Sequence, residues 1–358
     1  MANHAILAAS ASHRWLNCPP SVRLTERIPD NGSIYAAEGS EAHELCEFKL
    51  RQLLGMEAHN PLDTPIGLQY YDGTMEDAAT GYAAFVLELL EEIRKTCSDP
   101  IVMVEQKLDY SRWVKDGYGT GDAVIVADGT LHVVDFKYGT GVLVSAEGNS
   151  QMRLYALGAL DMFGELYDID TVVTTIYQPR LASISTDTIS RIDLLDWAEN
   201  TLRPLAEQAY KGEGDLNAGS WCRFCKLRNT CRKRAEANLA MAQHDFKLPP
   251  TLSDEEIAVI LDKLDNLISW AGDVKEYALN AALHGTHFHG WKLVEGRSNR
   301  RYTDETAEAQ IVSGTGRDPY EHKLLGITAM EKLLGKKQFA TLLSNLVERP
   351  QGKPVLVP

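Results

Sequence analysis

The stretch DAVIVADGTLHVVDFK, residues 122–137, restricts what this chain can fold into more than any other. Two runs rich in Val and Ile flank Asp128-Gly129, a dipeptide suited to the positive φ angles of a tight hairpin turn. The pattern predicts two adjacent antiparallel strands. The second strand ends in Asp135-Phe136-Lys137. Side chains alternate along a strand, so Asp135 and Lys137 fall on one face. Folding back about the turn brings Asp122, at the start of the first strand, within a residue or two of Asp135. Two carboxylates and an ammonium group therefore gather at one end of one hairpin.

The flanking segments supply the rest of a sheet and its cover. IVMVEQKL (101–108) and TVVTTIYQ (171–178) have strand character. Helical spacing of apolar residues runs through 40–54, with Ala42, Leu45, Cys46, Leu50, Leu53 and Leu54 on or near one face. Residues 75–96, 147–163 and 193–210 are helical by the same criterion. The order is helix, three strands, helix, strand. Hairpin strands are antiparallel and a helical crossover makes a parallel pair, so the expected core is α/β with a mixed central sheet flanked by helices. Beyond residue 245 the character changes. A helix is expected from Asp254 to Leu283, started by a capping box of Ser253 and Glu256. A short strand at GWKLVEG (290–296) and two short helices follow. The expected organisation is a core over 1–244 and a mostly helical extension over 245–358.

The chain is 44% hydrophobic and 24% charged, as globular proteins are. No run approaches the ~18 apolar residues of a membrane helix, and the first residues do not read as a signal peptide. The expected location is a reducing cytoplasm, where clustered cysteines serve as metal ligands or reactive thiols. A net charge of -14 argues against a generally DNA-binding surface. Basic islands nevertheless occur at Arg223, Lys226, Arg228, Arg232, Lys233 and Arg234, and again at Arg297, Arg300 and Arg301.

Carboxylate oxygens, waters and a substrate phosphate suit magnesium, so Asp122 and Asp135 are candidate ligands. His43, set among Glu41, Glu44 and Glu47 on the first long helix, is a candidate third. Gln151 and Tyr155 stand four apart and share a helical face. Glu105, on the strand before the hairpin, could join such a site; the simpler reading pairs it with Lys107 or leaves it at a sheet edge.

His43 on a helix, Gly119-Thr120-Gly121-Asp122, Asp135-Phe136-Lys137 and Gln151-x-x-x-Tyr155 together resemble the PD-(D/E)XK nuclease superfamily, in its RecB-like branch. The resemblance covers roughly residues 10–235. It implies a restriction-endonuclease-like core and hydrolysis of phosphodiester bonds in DNA, single-stranded or at duplex ends. It further implies that His43, Asp122, Asp135 and the Phe136 carbonyl hold magnesium or manganese. Lys137 would assist the attacking water, and Gln151 and Tyr155 would support lysine and substrate.

Three of the six cysteines lie in WCRFCKLRNTC (221–231), spaced C-x2-C-x5-C. Cys46 and Cys97 read as packing residues. Cys18 sits in the rigid Asn-Cys-Pro-Pro turn, which suits a ligand. One cysteine before the core and three after it resembles the iron–sulfur RecB-like nucleases. That likeness implies that Cys18, Cys222, Cys225 and Cys231 hold a 4Fe-4S cluster, with zinc the alternative for four thiolates. Trp221 and Phe224 could shield it or stack on bases. His284, His287 and His289 lie close together but without a neighbouring carboxylate or cysteine cluster. No phosphate-binding loop is present, so the chain is not itself a helicase. The whole chain is similar to phage and prophage proteins whose nuclease core carries a C-terminal extension, which implies replication or recombination roles and a helicase or recombination partner. The competing expectation is a non-catalytic nucleic-acid-binding or assembly protein with a structural metal.

Overall fold

The hairpin forms across Asp128-Gly129, with Gly129 at φ 80° where a side chain would be strained. The structure, a computed structural model, describes residues 5–29, 32–243, 254–295, 303–320 and 324–347. Strands β1 (Ile101–Asp109), β2 (Tyr118–Ala127), β3 (Gly129–Phe136), β4 (Ile169–Gln178) and β5 (Ser183–Ser190) form one sheet in that order. β1, β2 and β3 are antiparallel neighbours, β3 and β4 are parallel, and β5 returns antiparallel to β4. The β3–β4 crossover is helix α5 (Ser150–Phe163). The architecture is therefore the mixed sheet flanked by helices that the element order predicts.

Both faces of the sheet are buried. On one, α5 covers Val124, Val126, Leu131 and Val133, joined by α1 (Ser12–Asn17), α6 (Arg191–Trp197) and α7 (Arg203–Lys211). On the other, α3 (Ile34–Leu53) and α4 (Gly73–Ile93) cover Ala123, Ile125, Val134 and Phe136. Alternate residues of each hairpin strand thus go to opposite layers, and each buried Val, Ile or Leu contributes about 1.5–3 kcal/mol. Ser33 caps α3 by accepting from Ala36 N at 3.0 Å, and Asp72 caps α4 by accepting from Met75 N at 2.8 Å. Between α1 and α3 lies α2 (Ser21–Thr25), packed on α7.

One strand, β5, was not expected, and two local expectations differ from the fold. β5 carries no apolar stripe: SISTDTIS alternates between half-buried and exposed, because an edge strand held by backbone bonds needs only one partly covered face. The 193–210 helix is interrupted by a wide π-helical turn at Ala198–Leu202. GWKLVEG does not form a strand over its described part, 290–295. Its large apolar residues Trp291 and Val294 are exposed, so no sheet edge pairs with them.

The chain divides into two compact units, Met1–Tyr277 and Ala278–Pro358. In the first, α8 (Arg232–Gln243) and α9 (Asp254–Leu283, whose last turns continue into the second) are tied by Arg234, which bonds Asp273 and lies 3.4 Å from Ser269 Oγ. The predicted cap Ser253 lies outside the described residues. The second unit contains α10 (Glu305–Ser313), α11 (Ile327–Leu334) and α12 (Lys336–Leu343), one more helix than expected, with α11 packed on α12. No described helix is long and apolar enough to cross a membrane.

Candidate metal centre and cysteine pocket

The centre is assembled where β2, β3, α3 and α5 meet. Asn149 caps α5 by accepting from Gln151 N at 3.0 Å, which starts the helix one residue before Gln151. One turn on, Tyr155 OH accepts from Gln151 Nε2 at 3.1 Å. The same amide nitrogen reaches Asp135 Oδ1 at 3.2 Å, and Gln151 Oε1 accepts from Lys137 Nζ at 3.3 Å. Lys137 Nζ also lies 2.7 Å from Asp135 Oδ2. Gly119 leaves room for this arrangement, since a Cβ there would stand 2.6 Å from Tyr155 Cε1.

The register Ala123↔Val134, continued by one residue, sets Asp122 opposite Asp135. Asp122 Oδ2 accepts from Phe136 N at 2.6 Å, and its Oδ1 lies 3.3 Å from His43 Nδ1. The His43 ring meets Phe136 edge-on at 5.4 Å, which holds its plane. Two bonded groups, His43 with Asp122 and Asp135 with Lys137, Gln151 and Tyr155, are thus brought side by side.

Electrostatics divide the two buried aspartates. Burial pushes Asp122 up, but the His43 charge and hydrogen bond overcome it and hold its carboxyl below the usual range. Burial dominates at Asp135 and raises it despite Lys137, with the Asp122 charge adding to the effect. Lys137 is pulled down by burial, yet Asp135 outweighs that and raises it. Burial likewise lowers His43, and the charges of Asp122 and Asp135 carry it up to about 8.

Glu105 lies on β1, an edge strand of the sheet, as the simpler reading allows, but it is not paired with Lys107. Lys107 lies over the Tyr118 ring at 4.7 Å and makes no pair with it. Ligand atoms of His43, Glu105 and Asp122 instead lie within 4.8 Å of one another. Val104 belongs to the α3/α4 core and Leu108 to the α5 core, so side-chain alternation shifts by one residue between them. Glu105, at φ 52°, lies in that interval. A local backbone conformation of this kind leaves no periodic signal in the sequence. His43, Glu105, Lys137 and Tyr138 line an open cavity of about 450 Å³ beside the small residues Ala36, Gly39 and Ser40.

Gln178 was not singled out by its sequence context, yet it fixes the loop after Lys137. It is buried and donates to the carbonyls of Gly139 (2.7 Å) and Val142 (2.8 Å), while accepting from Val144 N at 3.0 Å. Only a glutamine closing a strand rich in β-branched residues hints at this.

The two chain segments carrying the four candidate cysteines meet in space. Asn217 donates to the Asn17 carbonyl at 3.2 Å, and His13 Nε2 lies 3.2 Å from Ser220 Oγ. Cys18, Cys222, Cys225 and Cys231 line one pocket of about 200 Å³ together with Trp221, Arg14 and Arg234. All are free thiols, and burial pushes Cys222 and Cys225 up. No three of these sulfurs fall within 4.8 Å of one another, the distance met among the described residues by His43, Glu105 and Asp122. Phe224 is 75% exposed and does not shield the pocket. Cys46 and Cys97 are buried in the α3/α4 core, as packing residues.

The basic island beside the cysteines is largely engaged internally. Arg234 is buried and, with Arg228, pairs with Asp273. Arg223 donates to the Gly141 carbonyl at 3.1 Å. Arg297, Arg300 and Arg301 lie outside the described residues. His284, His287 and His289 are exposed, and His284 Nδ1 sits 2.7 Å from the Asn280 carbonyl.

Fold and centre define a mixed α/β protein with a carboxylate–histidine–lysine cluster at the end of a sheet hairpin. The chain belongs to the DUF2800 family, whose description is "Protein of unknown function (DUF2800)", with residues 4–358 matched. A solved structure titled "Crystal structure of SSO0001" is similar over 62% of this chain and 96% of its own, at 13% identity and a TM-score of 0.26, a likeness too loose to bear on fold or function.

Proposed function

We propose that this protein is a divalent-metal-dependent DNA nuclease with a restriction-endonuclease-like core of the PD-(D/E)XK type. The observation that carries the reading is the adjacency of two bonded groups, His43 with Asp122 and Asp135 with Lys137 and Gln151, on facing residues of β2 and β3, with His43 and Lys137 lining an open cavity. An aspartate pair offers the carboxylate oxygens that magnesium or manganese takes, and among the described residues Asp135 Oδ2 has no hydrogen bond beyond its contact with Lys137. His43, Asp122, Asp135 and the Phe136 carbonyl would hold the ion. When bound, it supplies Lewis-acid activation of water and neutralises charge on the scissile phosphate.

The chain's own residues do the remaining work. Lys137 orients the attacking water and offsets charge developing on the phosphate oxygens. Gln151 holds Lys137 and Asp135 in register, and Tyr155 fixes the Gln151 amide. Attack by the water oxygen on phosphorus breaks one P–O ester bond of the DNA backbone.

The reading extends to the cysteine pocket. Four thiols, three of them buried and Cys231 half-buried, gathered from both ends of the core and flanked by Arg14 and Arg234, fit a thiolate-ligated cluster whose negative charge those cations would offset. A 4Fe-4S cluster is the reading that the family likeness carries to these thiols, and zinc is the alternative for four thiolates.

The test is cleavage of single-stranded, linear duplex and circular DNA by the full chain with magnesium or manganese. Asp135→Ala and Lys137→Ala are expected to abolish cutting at temperatures where circular dichroism shows them folded. Variants that cut as fast as the wild type would overturn the assignment.

A further inference from the structure

Helix α9 runs for 30 residues, and none of them is buried. Its apolar residues nevertheless follow a strict pattern. Ile257, Ile260, Leu264, Leu267, Ala271, Val274, Ala278 and Ala281 are spaced alternately by three and four. A period of 3.5 held over four heptads is the seam of a left-handed coiled coil. The helix is held by its other side. Asp273 pairs with Arg228 and Arg234, Ser269 lies 3.4 Å from Arg234, and both residues fall roughly opposite the seam on the helical wheel. The rest of the first unit thus anchors the polar side of α9, and the apolar side is left for a partner.

The seam itself says what that partner is. Its first half is Ile and Leu, and its second half is Ala with one Val. Two copies side by side in parallel would set Ala on Ala at Ala271, Ala278 and Ala281 and leave voids. Turned antiparallel in one register, every Ile or Leu meets a smaller residue: Ile257 with Ala281, Ile260 with Ala278, Leu264 with Val274, Leu267 with Ala271. Large-against-small layers of this kind interdigitate. The flanks agree. Ile268, 62% exposed, then meets Ile268 of the other copy, and Leu261, 44% exposed, meets the Lys275 stem. Trp270 meets Trp270, Lys263 meets the Tyr277 ring, and no two like charges face each other. At the ~30–40 Å² that a residue gives in a standard interface, the seam and these flanks would remove about 1,000 Å² from water over the two copies, the least that a stable dimer needs. We infer that the apolar seam of α9 is an interface between two copies of this chain, paired antiparallel about a two-fold axis at the level of Ser269. Such a contact is self-complementary, as two-fold symmetry requires. This pairing is independent of the metal-dependent reading above.

The experiment measures the mass of the full chain by light scattering after size exclusion. Wild type is expected at twice the single-chain mass. Leu264→Glu and Val274→Lys are each expected to halve it, with circular dichroism showing that helix content is kept, since neither side chain is buried within its own chain. Mixed in equal amounts, the two variants are expected to restore the double mass. Antiparallel pairing brings the new carboxylate of one copy against the new ammonium of the other, whereas parallel pairing sets each against an unchanged apolar residue. A wild type of single-chain mass overturns the interface. A double mass that survives both substitutions overturns it equally. A mixture that stays at the single mass overturns the antiparallel register.

Discussion

Replacing Lys137 with methionine isolates the electrostatic core of the centre. The ammonium lies 2.7 Å from Asp135 Oδ2, and the Asp135 side chain is 3% exposed. Methionine keeps the length of the stem and deletes the charge, so a buried carboxylate loses its counter-ion and keeps Asp122 as a neighbour. Removing one member of a buried pair costs about 3–5 kcal/mol. The Lys137 side chain is 25% exposed and water can reach the gap, which points to the lower end, about 3 kcal/mol. At ~2–4 °C per kcal/mol for a unit of this size, metal-free melting falls by roughly 6–12 °C. Asp135 is already raised by burial, and losing the lysine raises it further. A carboxyl with a raised folded pKa withdraws stability as pH increases, so the deficit should shrink in acid. Urea and thermal melts of wild type, Lys137→Met, Asp135→Asn and the double variant, all in chelator, give the coupling energy. About 2 kcal/mol or more is expected, with the double variant recovering most of the loss. Coupling below about 0.5 kcal/mol would show that Lys137 and Asp135 act independently, and the electrostatic argument for the centre would fail.

Gly119→Ala places a Cβ 2.6 Å from Tyr155 Cε1; it should displace that ring from Gln151, cost about 1–3 kcal/mol and lower cleavage, seen by paired melts and nuclease rates. Cys225→Ser should strip iron from anaerobically purified protein and bleach the broad absorbance near about 400 nm, whereas colourless wild type containing zinc and no iron would contradict the cluster. Burial and the Asp122 charge push Glu105 up to about 7, and His43 is carried up to about 8 by Asp122 against the pull of burial. Both folded values exceed the ordinary ones, so each group's stabilisation is full below its ordinary pKa and is lost as pH rises through the folded value. Urea midpoints in chelator should therefore fall between about pH 4.5 and about pH 8, and Glu105→Gln should flatten the lower part of that range.

Much of the architecture was legible in the chain. Asp128-Gly129 between two Val/Ile runs dictates the hairpin, because few dipeptides accept the backbone angles of so tight a turn. Strand alternation places Asp135 with Lys137, and helical spacing places Gln151 with Tyr155, since both periodicities are local geometry. β5 was not legible, because an edge strand of Ser and Thr has no buried face to impose a period.

What tertiary structure alone decided is how these local pieces meet. His43 reaches Asp122 only because α3 packs over the hairpin, and Cys18 joins its three distant partners only because α1 lies against the turn at Ser220–Phe224. The basic island reads as a surface in sequence, yet Arg234 is buried against Asp273. Glu105 shows the difference most clearly. Its residue type is consistent with a surface ion pair, and a positive φ in mid-strand turns it toward His43 and Asp122 instead. Periodicity records the average conformation of a strand, while a single residue departing from it is held there by the packing around it.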